Sequence, residues 1–413
     1  MTSNDDGVHS LPAGQDDKRL TSIKNVPAEG FSCVVEPIEL TSITGDWSDL
    51  LKDLADPHPV LHPDWMVTWW KHYAHKRKLR LGVYYKHGRL LGLAPLCQRR
   101  VWYAPGIPFR RLELMGQGQG EPDAVCGEYI NILSRPGFET EVAENFAAAL
   151  LNGTFGQWDE CYFAMTEADH PMNEALSLAL HRKDIPVICH QRESAPFVEL
   201  PATWAAYLQS RKSKRRNWMR RTLKAFESWA GENGGYEVCR ATDMTTLKSG
   251  MEILARLHAE RWKQAGERGC FSSDRFTAFH HDYAAVLLAK DELDLLWLEV
   301  GGRPVAAHYS FATAGRVYFY QSGRAMDVPE NVRIGSVLFI LAIQGAITNG
   351  LREYDFLAGD DAYKAYFATA SRPLADLRIA RPTLRENVRK TTRSIAAALK
   401  VKRPNPLPET NSS

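Results

Sequence analysis

Within LARLHAERW, His258 and Trp262 stand four residues apart, with Arg261 between them. On a helix that spacing puts imidazole and indole on one face with the guanidinium beside them. A histidine there can take up a proton near neutral pH, and the arginine suits an acceptor or donor anion; the plainer use is a satisfied core histidine. His308, in AAHYSF, shares strand parity with Ala306 and Ser310, a side that can meet an acceptor. His280 and His281 read as helix-surface residues. In YQSGR, Gln321 can orient an acceptor, and Gly323 permits a bulge or a close backbone approach. Asp355, in REYDFLAGD, alternates with Tyr354 and Phe356, so its carboxylate leaves their side of the strand. Amid apolar residues it needs a partner (Arg324, Lys364 or a substrate ammonium), and it serves either as a base or as a salt bridge at the sheet edge. No P-loop, H-E-x-x-H, G-x-S-x-G or helix-opening G-x-G-x-x-G pattern occurs. GQGQGEP at 116–122 reads as a flexible loop rimming a cleft. The seven cysteines form no C-x-x-C pair, which suits reduced thiols and predicts no metal site.

These groups need elements to hold them, and 413 residues allow about two to three domains. An apolar fraction of 44% with 24% charged residues excludes wholesale disorder. A net charge of +2 gives no global argument for a nucleic-acid binder, so any basic surface is local. No uncharged apolar run meets the roughly 18 residues of a membrane span, and acids stand where a signal peptide needs lysines. The expectation is a soluble, cytoplasmic chain. Residues 1–30 and 404–413 read as disordered tails. Between them strands are expected at 79–86, 90–98, 111–115, 129–133 and 158–165, with helices at 64–75, 137–152 and 171–182. The pattern then restarts, with helices at 203–210, 212–230, 243–264, 273–290, 334–349 and 361–370. Its strands fall at 236–241, 293–300, 304–312, 316–322, 353–357 and 374–379. LGVYYKHGRLLGLAPL and LWLEVGGRPVAAHYSF each give strand, Gly-Arg turn, strand; each is followed by strand, long helix and strand. This predicts two copies of one α/β domain, 31–195 and 196–382, with a basic amphipathic helix at 383–403.

The strings WAAYLQSRKSKRRNWMRRTLKAFE, LARLHAERWKQAGERGCF, GRPVAAHYSFATAGRVYFYQSGR and LREYDFLAGDDAYKAYFA resemble the GNAT superfamily. More narrowly, they resemble its tandem, FemABX-like or CelD-type acetyltransferase branch. The resemblance is strong over 195–380 and weaker over 35–190. It implies an α/β (α+β) fold of two tandem GNAT-like domains, each a mixed, mostly antiparallel sheet with flanking helices and a splayed parallel strand pair. It implies attack of an amine on a thioester, with the second domain catalytic. The donor, acyl-CoA or an acyl carrier protein, would enter between the strands at 317–322 and 353–357. Its pyrophosphate would meet the start of the helix near Ile334, where Arg333, Gly335 and Ser336 would bind it. Only Gly335 stands where the family's spaced small residues belong. The resemblance places Lys364 at the cleft, where a lysine can neutralise phosphate or oxyanion charge. It makes Tyr363 or Tyr366 an acid for the departing thiolate; both also read as core aromatics.

Arg211, Lys212, Lys214, Arg215, Arg216, Arg220, Arg221 and Lys224 crowd one helix, with Trp218, Leu223 and Phe226 interleaved. In 383–403, Leu384, Val388, Ile395 and Leu399 form a stripe that Arg385, Arg389, Lys390, Arg393 and Lys400 surround. The first segment can pack on its domain or meet an anionic lipid surface, a phosphorylated carrier or RNA; the second can lie on a membrane interface or pack back onto the domain. The expected function is N-acyl transfer from an acyl-CoA to an amine of a cell-envelope precursor (an amino sugar, peptide or long-chain amino lipid), in the cytoplasm or at the inner face of the membrane. Two alternatives stand: FemABX-like transfer from aminoacyl-tRNA, with RNA on the basic helix, or a non-catalytic factor in polysaccharide assembly.

Overall fold

The computed structural model describes residues 30–103, 106–359 and 361–401, the side chains of 395–401 excepted. The expected tails, Gly30 apart, and the end of the basic segment lie outside those residues. In the first half the strands are β1 (Phe31–Val34), β2 (Lys78–Leu79), β3 (Leu81–Lys86), β4 (Arg89–Ala94), β5 (Leu96–Tyr103), β6 (Ile107–Leu114), β7 (Leu133–Ser134), β8 (Glu160–Glu167) and β9 (Val187–Glu199). The second half adds β10 (Tyr236–Arg240), β11 (Leu293–Val300), β12 (Arg303–Thr313), β13 (Arg316–Arg324), β14 (Glu353–Asp355) and β15 (Ala370–Ala380).

Eleven of these strands form one sheet in the order β10-β11-β12-β13-β14-β9-β15-β8-β6-β5-β2, and a smaller sheet runs β1-β3-β4-β7. Each half has one parallel pair, β6 with β8 and β13 with β14, and each pair is joined by a crossover helix. The duplication legible in the sequence is therefore a duplication of topology, two tandem α/β domains. The halves do not separate at 195/196. β9 crosses that point as a single strand of 13 residues, and β15 returns from the end of the chain to pair with both β8 and β9.

Two packing arguments fix the frame. The crossover helix Ile334–Thr348 is apolar all round because it is covered on both sides, by the sheet and by the helix Ser213–Glu232. By composition, residues 330–348 are apolar enough to cross a membrane, yet here over half of that stretch packs inside the protein. Between the halves, the helix Pro63–Tyr73 meets the helix Asp274–Ala289. Trp65, fully buried, stands edge-on to Phe279 and to Tyr283, with ring centroids 4.9 Å apart in each pair. Each such aromatic burial is worth roughly 2–3 kcal/mol. His280 belongs to this interior: it is 0% exposed, and its Nε2 lies 3.1 Å from the Tyr320 hydroxyl. The residues flanking His280 in its helix are a core face, which overrides the surface reading of that histidine.

Candidate functional site

β13 and β14 are in register only from Arg316 with Glu353 to Tyr318 with Asp355. Past that point β14 stops, Leu357 takes a left-handed φ of 55°, and the Phe356 amide turns to the Pro196 carbonyl on β9. β13 runs on to Arg324, and its pairing with β12 slips by one residue between Tyr309 and Ser310. A slip of this kind bends and twists a strand. At the end of β13 opens a cavity of about 570 Å³, lined by Ser322, Gly323 and Arg324, by the turn 333–336, and by Arg261, His308, Phe339 and Tyr363.

The helix Ile334–Thr348 begins in that cavity. Arg333 is its N-cap in the left-handed region, at φ 54°, and no side chain caps the helix start, so its N–H groups and the macrodipole favour an anion. Gly335 brings the backbone close to Arg324: a Cβ there would stand 3.3 Å from Arg324 Cδ. Three guanidiniums, Arg261, Arg324 and Arg333, line the cavity, and none has an acidic partner within ion-pair distance among the described residues. Burial and then the charge of Arg261 pull the Arg324 pKa below its usual value, with Glu330 opposing. Glu330 also lines the cavity but forms no ion pair with them among the described residues, and cations held together in this way have an energy that an incoming anion relieves. Arg333 is supported from behind, over the Trp218 ring at 5.9 Å.

The remaining residues singled out in the sequence divide by place. His308, Gly323, Arg261, Arg333, Gly335, Ser336 and Tyr363 line the cavity. His308 is buried between the Phe319 and Phe339 rings, and its Nδ1 has no hydrogen-bond partner among the described residues. Burial, reinforced by Arg261, pushes its pKa down to about 3, so the ring is neutral. Tyr363 stacks on Phe339 at 5.2 Å, and burial raises its phenol well above the ordinary value. His258 is 2% exposed and holds the end of β13, with Nδ1 3.0 Å from the Ser322 carbonyl and Nε2 3.5 Å from Cys270 Sγ. Arg261 donates to Ser322 Oγ at 3.3 Å. Gln321 pairs with Tyr309 across the sheet and is not part of the cavity wall.

Lys364 and Asp355 also stand outside that wall. Lys364 is 5% exposed; its ammonium donates to the carbonyls of Ala358 at 2.5 Å and Leu357 at 3.4 Å, and burial lowers its pKa. It ties down the loop by which the chain leaves β14. Asp355, fully buried, does face away from Tyr354 and Phe356, which sit in the opposite core. Its partners are neither Arg324 nor Lys364. It accepts from the Tyr129 hydroxyl at 2.9 Å, the Leu357 amide at 2.7 Å and Arg372 at 3.2 Å. Burial raises its pKa to about 6 against these partners. Glu128, beside Tyr129, is 6% exposed with an unpartnered Oε2, and burial raises it to about 7 while Lys364 opposes. Tyr129, Glu128 and Arg372 had no sequence signal; the stretch 129–133, expected as a strand, is mostly irregular, with Tyr129 in a turn and only Leu133 in a strand. There Tyr129 takes φ 69° because its amide goes to the Met165 carbonyl and its hydroxyl to Asp355.

The corresponding gap in the first half is closed. β6 and β8 part after Glu113 with Tyr162, and the Gln117 carboxamide fills the space. It donates to the Ala164 carbonyl at 2.6 Å and to the Gly127 carbonyl at 3.1 Å, and it accepts from the Ala164 amide at 3.0 Å. The Gly-rich stretch 116–122, expected as a flexible loop, is pinned here by a glutamine that is 6% exposed.

Lys214, Arg220, Arg221 and Lys224 are exposed on the helix Ser213–Glu232, as is Lys212 at its N-cap. Trp218 packs on Tyr366 at 4.8 Å, so its ring anchors the helix. Arg211 is buried, donating to the Ala368 carbonyl at 2.6 Å. In the helix Leu384–Val401, Leu384 and Val388 are exposed. Arg389, expected on the outer basic face, is buried with Arg378 around Glu386.

Residues 213–365 match a family model described as an acetyltransferase (GNAT) domain. FemX has the same fold, with a TM-score of 0.55 at 12% identity over 84% of this chain and 98% of that one. So does the C-terminal domain of a putative lysylphosphatidylglycerol synthetase from Agrobacterium fabrum, with a TM-score of 0.50 at 12% identity over 88% and 97%. A tandem GNAT protein from the clavulanic acid biosynthesis pathway aligns at a TM-score of 0.46 and 12% identity, over 86% of this chain and 99% of that one. No curated protein matches the chain by sequence. Residues 213–365 thus resemble a GNAT acetyltransferase domain, and the chain shares its fold with FemX and with that synthetase domain.

Proposed function

We propose that the chain transfers an acyl group from a phosphate-bearing thioester, acyl-CoA, to an amine of a cell-envelope precursor, working in the cytoplasm or at the inner face of the membrane. The observation that carries this reading is the cavity at the end of β13, with Arg261, Arg324 and Arg333 around a helix start and without an ion pair among the described residues. Those groups would hold the donor's phosphates and place its thioester toward the parting strands. The amine attacks the thioester carbonyl, the carbon–sulfur bond breaks, the thiolate takes a proton and the new amide nitrogen loses one. Tyr363 is the acid for the thiolate: it lines the cavity, and burial keeps its phenol protonated. His308 is neutral at physiological pH and serves as a hydrogen-bond partner, leaving the amine's proton to water. Lys364 and Asp355 position the loop after β14 from behind.

A second reading draws on the exposed cations of the helix Ser213–Glu232, which adjoin the cavity through Trp218 and Arg333. Here an aminoacyl group arrives on RNA, whose phosphates meet those cations. Purified protein mixed with an amine panel and either acyl-CoA or charged tRNA separates the two. Thiol release without RNA supports the first, and a strict need for charged tRNA overturns it. Pelleting with anionic vesicles at low and high salt tests the membrane surface.

A further inference from the structure

A second cavity, of about 510 Å³, lies between the halves, walled by residues 54–61 and 129–139 of the first and by Arg316 and Arg372 of the second. Arg316 stands six residues before Ser322 on β13, roughly 20 Å from the donor cleft at strand rise. The crossover helix of the first half, Glu139–Asn152, begins in it, in the place its counterpart Ile334–Thr348 has in the donor cleft. The electrostatics are reversed. The first turn carries Glu139 and Glu141 where the counterpart has Arg333 before it and no acid, so a phosphate is repelled.

The two arginines of this cavity are already engaged. Arg316 meets Asp56 at 3.0 Å and Glu353 at 3.5 Å; Arg372 meets Glu353 at 2.6 Å and Asp355 at 3.2 Å. Glu139 has no ion pair among the described residues, and Glu167 has only Arg372 at 3.9 Å. Both keep the capacity to receive a cation. An independent sign of a ligand is His58. It lines the cavity, is 6% exposed, stacks on Tyr129 at 4.1 Å, and its Nδ1 is buried without a hydrogen-bond partner among the described residues. Burial and the two arginines keep this ring neutral, so one nitrogen can accept from a hydroxyl or ammonium. Leu61, Ile132 and Pro171 add an apolar surface to the lining for C–H groups.

We infer that this cavity binds a small hydroxylated primary amine, its ammonium between Glu139 and Glu167 and a hydroxyl on His58. The site is separate from the donor cleft and does not depend on the acyl-transfer reading. Calorimetric titration of the full chain with glucosamine and with glucose, at fixed ionic strength, tests it. Glucosamine is expected to bind saturably and at least about tenfold more tightly than glucose. The double variant Glu139→Gln, Glu167→Gln is expected to abolish that preference while keeping the native melting profile, since both side chains are only partly buried. No saturable binding of glucosamine by about 10 mM, equal binding of glucose, or an unchanged preference in the folded double variant overturns the inference. The comparison of the two sugars on the unaltered protein stands even if the variant fails to fold.

Discussion

Replacing Arg324 by Gln should move stability and donor affinity in opposite directions. Arg324 lies beside Arg261 at the cavity wall with no acid in ion-pair distance, and its lowered pKa records both burial and that repulsion. Two cations within about 10 Å at a solvent-washed surface repel by about 1 kcal/mol or less once screening is counted. Neutralising one should therefore raise the melting temperature of the unliganded protein by about 1–2 °C. A donor phosphate would lose one charge-assisted hydrogen bond, worth about 1.5–3 kcal/mol, so KM for acyl-CoA should rise by about 10- to 150-fold. The chemical step has no contact with that side chain, so kcat should change little. Scanning fluorimetry with and without CoA, beside steady-state kinetics, reads both signs in one preparation. A variant that melts lower than the parent, or one whose donor KM is unmoved, refutes the claim that these arginines are an unpaired anion site.

Three further outcomes follow from the same geometry. Gly323→Ala would put a Cβ 2.5 Å from the His258 amide nitrogen and 2.7 Å from Leu257 Cβ, so urea unfolding should show a loss of about 1–3 kcal/mol. Glu128 is pushed up to about 7 from 4.5, so between those values the folded chain holds a proton the unfolded chain has released, and stability falls as pH rises through the window. Glu128→Gln should remove that slope and gain up to about 3 kcal/mol at pH 8, leaving the weaker slope from Asp355, which is raised from 3.8 to about 6; denaturant melts across pH 4–8 check it. Glu386 has the opposite sign. Burial works against its charge, but hydrogen bonds from Arg389 and Arg378 hold it down to about 2. Its contribution is whole above about pH 4.5 and is lost as pH falls through 2, so hydrogen exchange should show the helix Leu384–Val401 released there before the sheet.

The order of elements and the duplication were legible in the sequence, because alternation, helical spacing and Gly-Arg turns are local signals; the parting of the strands at 317–322 and 353–357 was implied only by the family resemblance. Arg261, His308 and Gly323 were singled out on their own residues, and Arg333, Gly335, Ser336 and Tyr363 on the family resemblance; in the structure all seven line one cavity. Lys364 and Asp355 show the limit of that kind of reading. Each was placed on the right element, but Asp355 takes its hydroxyl partner from Tyr129, 226 residues away, and no spacing rule spans such a distance. Arg324 was read only as a partner for Asp355, since its actual setting depends on the bend at the end of β13. The role of Gln117 was hidden in a stretch whose glycines suggested freedom.

The two halves run the same path and arrive at opposite chemistry for reasons that come down to a few side chains. In the first, Gln117 bonds across the parted strands, and the crossover helix starts with glutamates; in the second, the parted strands lead to an open cavity and the helix starts beneath Arg333. The closed half is nonetheless built into the open one. Tyr129 completes the shell of Asp355, the Cys126 amide donates to the Tyr320 hydroxyl at 3.2 Å, and β8 pairs along β15. Removing the first half would expose one edge of β15 and leave a fully buried carboxylate short of a donor at the point where β13 and β14 part. Loss of one partner of a buried polar group typically costs about 1–3 kcal/mol, and here several would be lost together along the seam. The first half thus serves as a fixed wall for the donor cleft of the second, while the gap between its own parallel strands is filled by Gln117.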